Sequence, residues 1–260
     1  MDGKRYVVFC DLDGTLLDEK GGVTEFTQSA LRQFKAAGHE IVFTTARSRR
    51  LHRIGDALRA ISDDLILHNG GELIRKGEII AKHDFPAAQA GEIGRALTEA
   101  GVCAAVILEN AYYANYDAPA VWGEISGFER TDFSCWQMDV PKFALYFPQE
   151  NPETFPATLR GRGQLEITDR KRTGVFAPPG VSKGAAIREW MALCGMQDVT
   201  SVAIGNDTID LSAFEACDVS AAVGNAQREA LQAADVLIGR NDEDGVAKYL
   251  LSLLREETDK

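Results

Sequence analysis

A chain of 260 residues, 45% hydrophobic and 26% charged, has the composition of a soluble globular protein and enough length for one large core or two modest ones. Its formal net charge of −11 disfavours nucleic acid and anionic membrane as partners, because neither a phosphate backbone nor a lipid headgroup is drawn to such a surface. The apolar run after Met1 meets Asp11 too soon for a signal peptide or a membrane span, so the expected address is the cytoplasm.

The first 70 residues alternate between strand and helix signals. Residues 7–10 read as a buried strand. Residues 27–37 read as a helix with Ala30, Leu31, Phe34 and Ala37 on one face, stopped by Gly38. A second strand is expected at 41–45, a helix at 51–60 and a third strand at 65–67. Such alternation means a parallel sheet with crossover helices.

After Asn69-Gly70-Gly71 the pattern changes. Two apolar runs around Lys76-Gly77 signal a hairpin within 72–84, and 88–100 reads as a helix closed by Gly101. Further strands are expected at 102–116, 142–147 and 164–168, with a short helix at 152–159. This block reads as a mixed α+β sheet forming its own domain.

Alternation returns from Val181 onward. Helices are expected at 183–193, at 211–216, between 223 and 236, and at 245–254, and strands at 201–204, 219–223 and 236–238. The expected architecture is therefore a doubly wound, Rossmann-like α/β core of residues 1–71 and 179–260, with an inserted α+β cap of residues 72–178. The turn-rich 69–71 and 178–180 stretches are its natural hinges.

In open α/β sheets ligands bind beyond the carboxyl ends of the strands, and the polar residues of interest gather there. Asp11 and Asp13 end the first strand, Thr44 and Thr45 the second, and Asn206, Asp207 and Asp210 follow the strand ending at Ile204. Four carboxylates converging on one sheet edge repel one another, and a hard divalent ion with oxygen ligands, Mg²⁺ above all, would compensate them. Taken alone, Asp11-Leu12-Asp13-Gly14-Thr15 is also a plain turn signal.

Asp11-Leu12-Asp13-Gly14-Thr15-Leu16-Leu17, Thr45 with Arg47, Asn69-Gly70, Lys183-Gly184 and Gly205-Asn206-Asp207-Thr208-Ile209-Asp210 stand in the order and rough spacing of one known family. Together they resemble the haloacid dehalogenase-like hydrolases. The inserted middle block and the tail from Ala234-Asp235 through Asn241-Asp242-Glu243-Asp244-Gly245-Val246 are similar to the Cof-like sugar-phosphate phosphatases within it. The resemblance covers both core segments, while the cap matches only in size and strand content.

The resemblance implies a Mg²⁺-dependent phosphatase acting on a small-molecule phosphate ester, most simply a sugar phosphate. Asp11 matches the nucleophile that forms an aspartyl phosphate, splitting one difficult displacement into two easier ones. Asp13 matches the acid/base that protonates the leaving alkoxide and later activates water. A spacing of two along the strand end would put both on one face, with Gly14 allowing a sharp turn and Thr15 supporting it. Thr45 matches a phosphate-binding hydroxyl, Arg47 a forked phosphate or sugar contact, and Lys183 the lysine that pairs with nucleophile and phosphate oxygens. A lysine at a helix start opposes the local dipole and so needs such a partner. The implied metal ligands are Asp11, Asp13, Asn206 and Asp210. The cap would close over the site and choose the leaving group.

One departure stands out. The family usually carries Gly-Asp-x-x-Asn-Asp where this chain has Gly205-Asn206-Asp207-Thr208-Ile209-Asp210, so Asn206 replaces a charged ligand and Ile209 a supporting asparagine. Weakened Mg²⁺ affinity is expected, with Asp207 as a substitute ligand if the loop shifts by one residue. Asn69 and Gly70 are read equally as substrate contacts or as a tight turn. Arg170-Lys171-Arg172 is expected in a hairpin turn, reaching toward substrate or simply solvated. Arg49, Arg50 and Arg53 read as a solvated helix face. The four histidines lack metal spacing, and Trp122, Trp136 and Trp190 read as packing residues. The five cysteines, without C-x-x-C spacing, read as reduced thiols in apolar surroundings.

The phosphatase reading competes with a phosphomutase or phosphotransferase of the phosphomannomutase type, and with a catalytically weakened sugar-phosphate-binding protein. Dehalogenation is disfavoured, since the dehalogenating relatives lack an acid at the position of Asp13. The identity of the substrate and the oligomeric state are not legible.

Overall fold

The computed structural model describes residues 4–48, 56–109, 111–168 and 172–258. They fall into two compact units, Met1–Ala46 with Arg53–Ala81 and Ser182–Lys260, and Arg47–His52 with Lys82–Val181.

The first unit is built on β1 (Tyr6–Asp11), whose six residues are all buried. A strand covered on both faces reads as a continuous apolar run rather than an alternation. Its residues divide between two cores. Tyr6, Val8 and Cys10 pack with Leu31, Phe34, Val246 and Leu250, whereas Val7 and Phe9 pack with Ile187, Trp190, Ala213 and Phe214. The first set brings in α1 (Glu25–Ala36) and α8 (Gly245–Thr258), and the second α5 (Lys183–Leu193) and α6 (Leu211–Phe214). Thr24 caps α1, its side chain accepting from the Thr27 amide.

Around β1 lie β2 (Glu40–Thr44), β3 (Leu65–Leu67), β4 (Glu72–Arg75) and β5 (Glu78–Lys82) on one side. On the other lie β12 (Thr200–Gly205), β13 (Val219–Val223) and β14 (Val236–Ile238), giving the sheet order β14-β13-β12-β1-β2-β3-β4-β5. The strands from β14 to β3 run parallel, and β4 turns back antiparallel to β3. The chain winds outward in both directions from β1, which makes its carboxyl end the switch point where α/β sheets place their ligands. The doubly wound core expected from the sequence is the one observed.

The 72–82 hairpin, grouped with the inserted block in the sequence reading, instead extends this sheet, because Leu73 and Ile74 are buried in it. Of the helix expected at 51–60, the structure describes α2 (Asp56–Arg59). Arg49, Arg50 and Arg53 lie outside the described residues. Between β13 and β14 runs α7 (Arg228–Ala233).

The second unit carries a six-stranded sheet. Its strands are β6 (Cys103–Ile107), β7 (Tyr112–Ala114), β8 (Phe128–Arg130), β9 (Phe143–Tyr146), β10 (Gln164–Thr168) and β11 (Thr173–Ala177), in the order β10-β11-β9-β6-β7-β8. All pairings are antiparallel except β7 with β8. Helix α3 (Ala87–Glu99) contributes Ile93 and Leu97 to a core with Phe85, Phe133, Phe143 and Phe176. This is the α+β block expected, with local differences. The strand foreseen over 102–116 folds back as the β6–β7 hairpin, Leu108 N donating to Ala111 O at 3.0 Å. The helix foreseen at 152–159 is two 3₁₀ turns, since Pro156 has no amide to continue the first. Strands β8 and β11 and the short helix α4 (Ala118–Trp122) were not foreseen.

Trp190 is fully buried, as its packing role requires, but Trp122 is half exposed, its ring edge-on to Tyr146. All five cysteines are free thiols. Cys10 is buried as expected and Cys135 is exposed. Arg170 and Lys171 lie outside the described residues, while Arg172 pairs loosely with Glu150 at 3.9 Å.

Candidate active site

Beyond the carboxyl end of β1 the first unit holds a buried charge cluster. Asp11, the last residue of β1, accepts a hydrogen bond at Oδ1 from Lys183 Nζ at 2.6 Å, and the same ammonium donates to Asp210 Oδ1 at 2.5 Å. All three side chains are buried, Lys183 completely. A lysine almost never goes fully inside unless it is paired, and here it is paired twice.

Lys183 is the first residue of α5, where the helix dipole disfavours a cation. Two things hold it there besides the carboxylates. Ser182 caps the helix, its hydroxyl accepting from the Ala185 amide at 3.2 Å. Gly184 lets α5 press onto the start of α6, for a Cβ there would lie 2.0 Å from the Ser212 carbonyl oxygen. The approach brings Lys183 to Asp210 across a gap no larger residue would allow.

Asp210 is engaged at both oxygens. Oδ1 takes Lys183, and Oδ2 accepts the backbone amides of Asn206 at 2.9 Å and Asp207 at 3.0 Å, closing the turn after β12. Asn206 in turn accepts at Oδ1 from the Thr15 hydroxyl at 3.0 Å. Thr15 braces its own turn, as expected, through its amide to Leu12 O at 3.3 Å, and its hydroxyl also ties that turn to the β12 loop. The Asp207 carboxylate is occupied by the Thr208 hydroxyl at 2.9 Å and Gln227 Nε2 at 2.7 Å.

Burial pushes the Asp11 carboxyl up to about 7. Lys183 pulls against that, and the charges of Asp210 and Asp13 push with it. For Lys183 burial favours the neutral amine, but the two carboxylates together hold its pKa above the ordinary value. The cluster thus keeps a charged lysine, and above a pH of about 7, where Asp11 ionises, an excess of negative charge.

Asp13 is exposed, and β1 ends at Asp11, so strand parity does not fix its direction. A turn does, with the Leu12 carbonyl accepting the amides of Thr15, Leu16 and Leu17. Thr44 stands beside Asp11 in register on β2, and Thr45, fully buried, follows it. The Thr45 carbonyl accepts the Asn69 amide at 3.1 Å. Asn69 and its neighbours His68 and Gly70 all have positive φ (59°, 55° and 112°), and Gly70 lies so near the Ser182 carbonyl that a Cβ would come within 2.5 Å of it. The Asn69 side chain is buried with no hydrogen-bond partner among the described residues for either Oδ1 or Nδ2. A buried amide that no protein group satisfies points to a ligand or an ordered water. Arg47 belongs to the second unit.

No three His, Cys, Asp or Glu side chains among the described residues gather as a ready metal-binding group. The donors nevertheless suit a hard cation. Asp11 Oδ2 takes no hydrogen bond among the described residues, and Asp13 and the Asn206 carbonyl oxygen stand on the two loops joined by Thr15. Mg²⁺ needs only one or two carboxylates beside waters and a phosphate oxygen, so the residues present fit it.

The comparisons with known proteins agree with this reading of the fold. Residues 8–250 match the family of haloacid dehalogenase-like hydrolases. Pyridoxal phosphate phosphatase YbhA of Escherichia coli is 26% identical, with 95% of this chain and 98% of the relative covered. A solved sugar phosphatase of haloacid dehalogenase subclass IIB superposes with a TM-score of 0.80 at 19% identity, covering 95% of this chain and 98% of the other. The chain also spans 45% of the length of a chloroplastic endoribonuclease YBEY from Arabidopsis thaliana, at 23% identity over 92% of this chain. The chain belongs to the haloacid dehalogenase-like hydrolases, among their Cof-like phosphoric monoester hydrolases. Among the described residues no helix is long and apolar enough to cross a membrane.

Three contributors escaped the sequence reading. Ser182 had a signal, as a serine just before an amphipathic helix. Asn225 and Gln227, which touch the site's two loops, had only a turn-like Gly224-Asn225 after a strand.

Proposed function

We propose that this phosphatase hydrolyses a small hydroxylated phosphate ester, a sugar phosphate in the simplest case, through an aspartyl phosphate on Asp11 and with Mg²⁺ as cofactor. The observation that carries the proposal is the double engagement of Lys183 by Asp11 and Asp210 at the switch point of the sheet. Lys183 fixes Asp11 through Oδ1 and leaves Oδ2 to attack phosphorus. As the new Asp11–phosphorus bond forms and the ester P–O bond breaks, Asp13 gives its proton to the leaving alkoxide. Asp13, now a base, takes a proton from water, whose oxygen displaces Asp11 and releases orthophosphate.

In this proposal Lys183 and the Thr45 hydroxyl bind the phosphoryl oxygens. Asp210, with both oxygens occupied, serves Lys183 and the β12 turn rather than a cation. That leaves Asp11, Asn206 and the main-chain carbonyl of Asp13, whose side chain carries the proton, to hold Mg²⁺, which would neutralise phosphoryl charge during transfer. The unpartnered Asn69 amide supports a substrate bearing hydroxyls, since a hydroxyl both donates and accepts whereas a phosphoryl oxygen only accepts. The relatives named for pyridoxal phosphate and for sugar phosphates both act on such compounds.

The test is a panel of phosphorylated sugars and related hydroxylated esters, with and without Mg²⁺, read as released phosphate. One or more members are expected to be hydrolysed with Mg²⁺, and Asp11→Asn to lower that rate by on the order of 10³-fold or more. Transfer of phosphate within the substrate without release would favour a mutase instead, and binding without turnover a weakened binding protein.

A further inference from the structure

The Asp11–Asp13 turn and the Asn206–Asp210 turn come from opposite ends of the chain, and a third loop grips both. It joins β13 to α7. Asn225 Nδ2 donates to the Gly14 carbonyl at 2.7 Å, while Asn225 Oδ1 accepts from the Asn241 amide at 3.0 Å. Gly14 O can only accept and Asn241 N can only donate, so the orientation of the Asn225 amide is fixed by its partners. Asn241 then reaches the same turn, its Nδ2 donating to Leu17 O at 2.8 Å. Two residues along the loop, Gln227 N donates to Asn206 O at 2.8 Å and Gln227 Nε2 to Asp207 Oδ2 at 2.7 Å.

We propose that the 224–227 loop is a positioning clamp, in which Asn225 and Gln227 set the distance between the turn carrying Asp13 and the turn carrying Asn206. The inference rests on the phosphatase reading for its catalytic consequence and on the hydrogen bonds alone for its structural one. Asn225 holds the carbonyl next to Asp13, a residue outside the strand whose direction the turn must supply. A displacement of about 1 Å in a reacting group costs on the order of 100-fold in rate, so a clamp of this kind acts on kcat rather than on KM.

The experiment compares the wild-type chain with Asn225→Asp, Asn225→Ala and Gln227→Ala. Asn225→Asp has the same shape, keeps the acceptor for Asn241 N and loses the donor to Gly14 O. On any ester the wild type hydrolyses, Asn225→Asp and Asn225→Ala are expected to lower kcat roughly 10- to 100-fold with KM within about twofold. Amide exchange at Thr15, Leu16 and Leu17 is expected to speed up in both. Gln227 is exposed, so Gln227→Ala stays folded, and a drop of a few fold in kcat is expected from it. Wild-type rates in a folded Asn225→Asp, or in Gln227→Ala if the Asn225 variants do not fold, overturn the clamp. If the wild type releases no phosphate from any ester, the phosphatase reading fails and exchange alone decides. Faster exchange at residues 15–17 then supports the clamp, and unchanged exchange overturns it.

Discussion

Two charge clusters sit at opposite ends of the central strands, and they are built on opposite principles. At the carboxyl end of β1 a single buried ammonium, Lys183, serves two buried carboxylates. At the start of β2, Glu40 is surrounded by Arg5 at 3.1 Å, Arg75 at 3.5 Å and Lys35 at 3.6 Å, with Asp64 pairing Arg75 at 2.9 Å. The second cluster has cations in surplus and water at its edge, the Arg5 side chain being 49% exposed. It needs nothing further. With Asp11 ionised, the first has one positive charge too few, away from water, an imbalance that a bound cation would relieve.

Neutralising the central charge of each cluster in turn sharpens the contrast. Lys183→Met leaves Asp11 and Asp210 facing each other in a buried site, and is expected to cost about 3–5 kcal/mol in a urea unfolding titration at pH 8 without Mg²⁺. The sign of its pH dependence follows from Asp11. The folded carboxyl, pushed up to about 7 even with Lys183 present, keeps a proton that the unfolded chain has already released near 3.8. Folding is therefore penalised as pH rises between these values in wild type and variant alike, and because losing Lys183 pushes the Asp11 carboxyl higher still, the deficit of Lys183→Met should shrink as pH falls from the alkaline side toward 7. A deficit that grew on acidification would show that the carboxylates are not the cause.

Supplying the carboxylate that Asn206 lacks works the other way. Asn206→Asp keeps an acceptor for the Thr15 hydroxyl and adds a carboxylate, and should lower the Mg²⁺ concentration for half-maximal phosphate release by about tenfold. Half-saturation of the wild type at micromolar Mg²⁺ would contradict the idea that Asn206 weakens the site. At the outer cluster, Glu40→Gln is expected to change stability by less than about 1 kcal/mol, because its partners are partly solvated and can rearrange. A larger loss would erase the distinction between the clusters.

The core was legible because period and punctuation agreed with burial. β3, β13 and β14 fall on the residues their apolar runs mark, and α5 begins at Lys183, where a serine cap precedes it. The second unit was less so. β11 follows a basic stretch and contains Gly174, and β8 is three residues long with two of them exposed, so neither carries a two-residue apolar rhythm. At the site, the resemblance named Asp11, Lys183 and Asp210 and implied the pairing of Lys183 with Asp11, but not the second bond from Lys183 to Asp210. That Lys183 reaches Asp210 across 27 residues, or that Thr15 reaches Asn206 across 191, is a relation no local spacing encodes.

The contact between Gly184 and the Ser212 carbonyl sets a mechanical tolerance for the whole site. Because the ammonium hangs from the residue just before that contact, the two helices are geared together with a clearance smaller than one methyl group. The position of Asp11 is thus indexed to backbone packing one helix away.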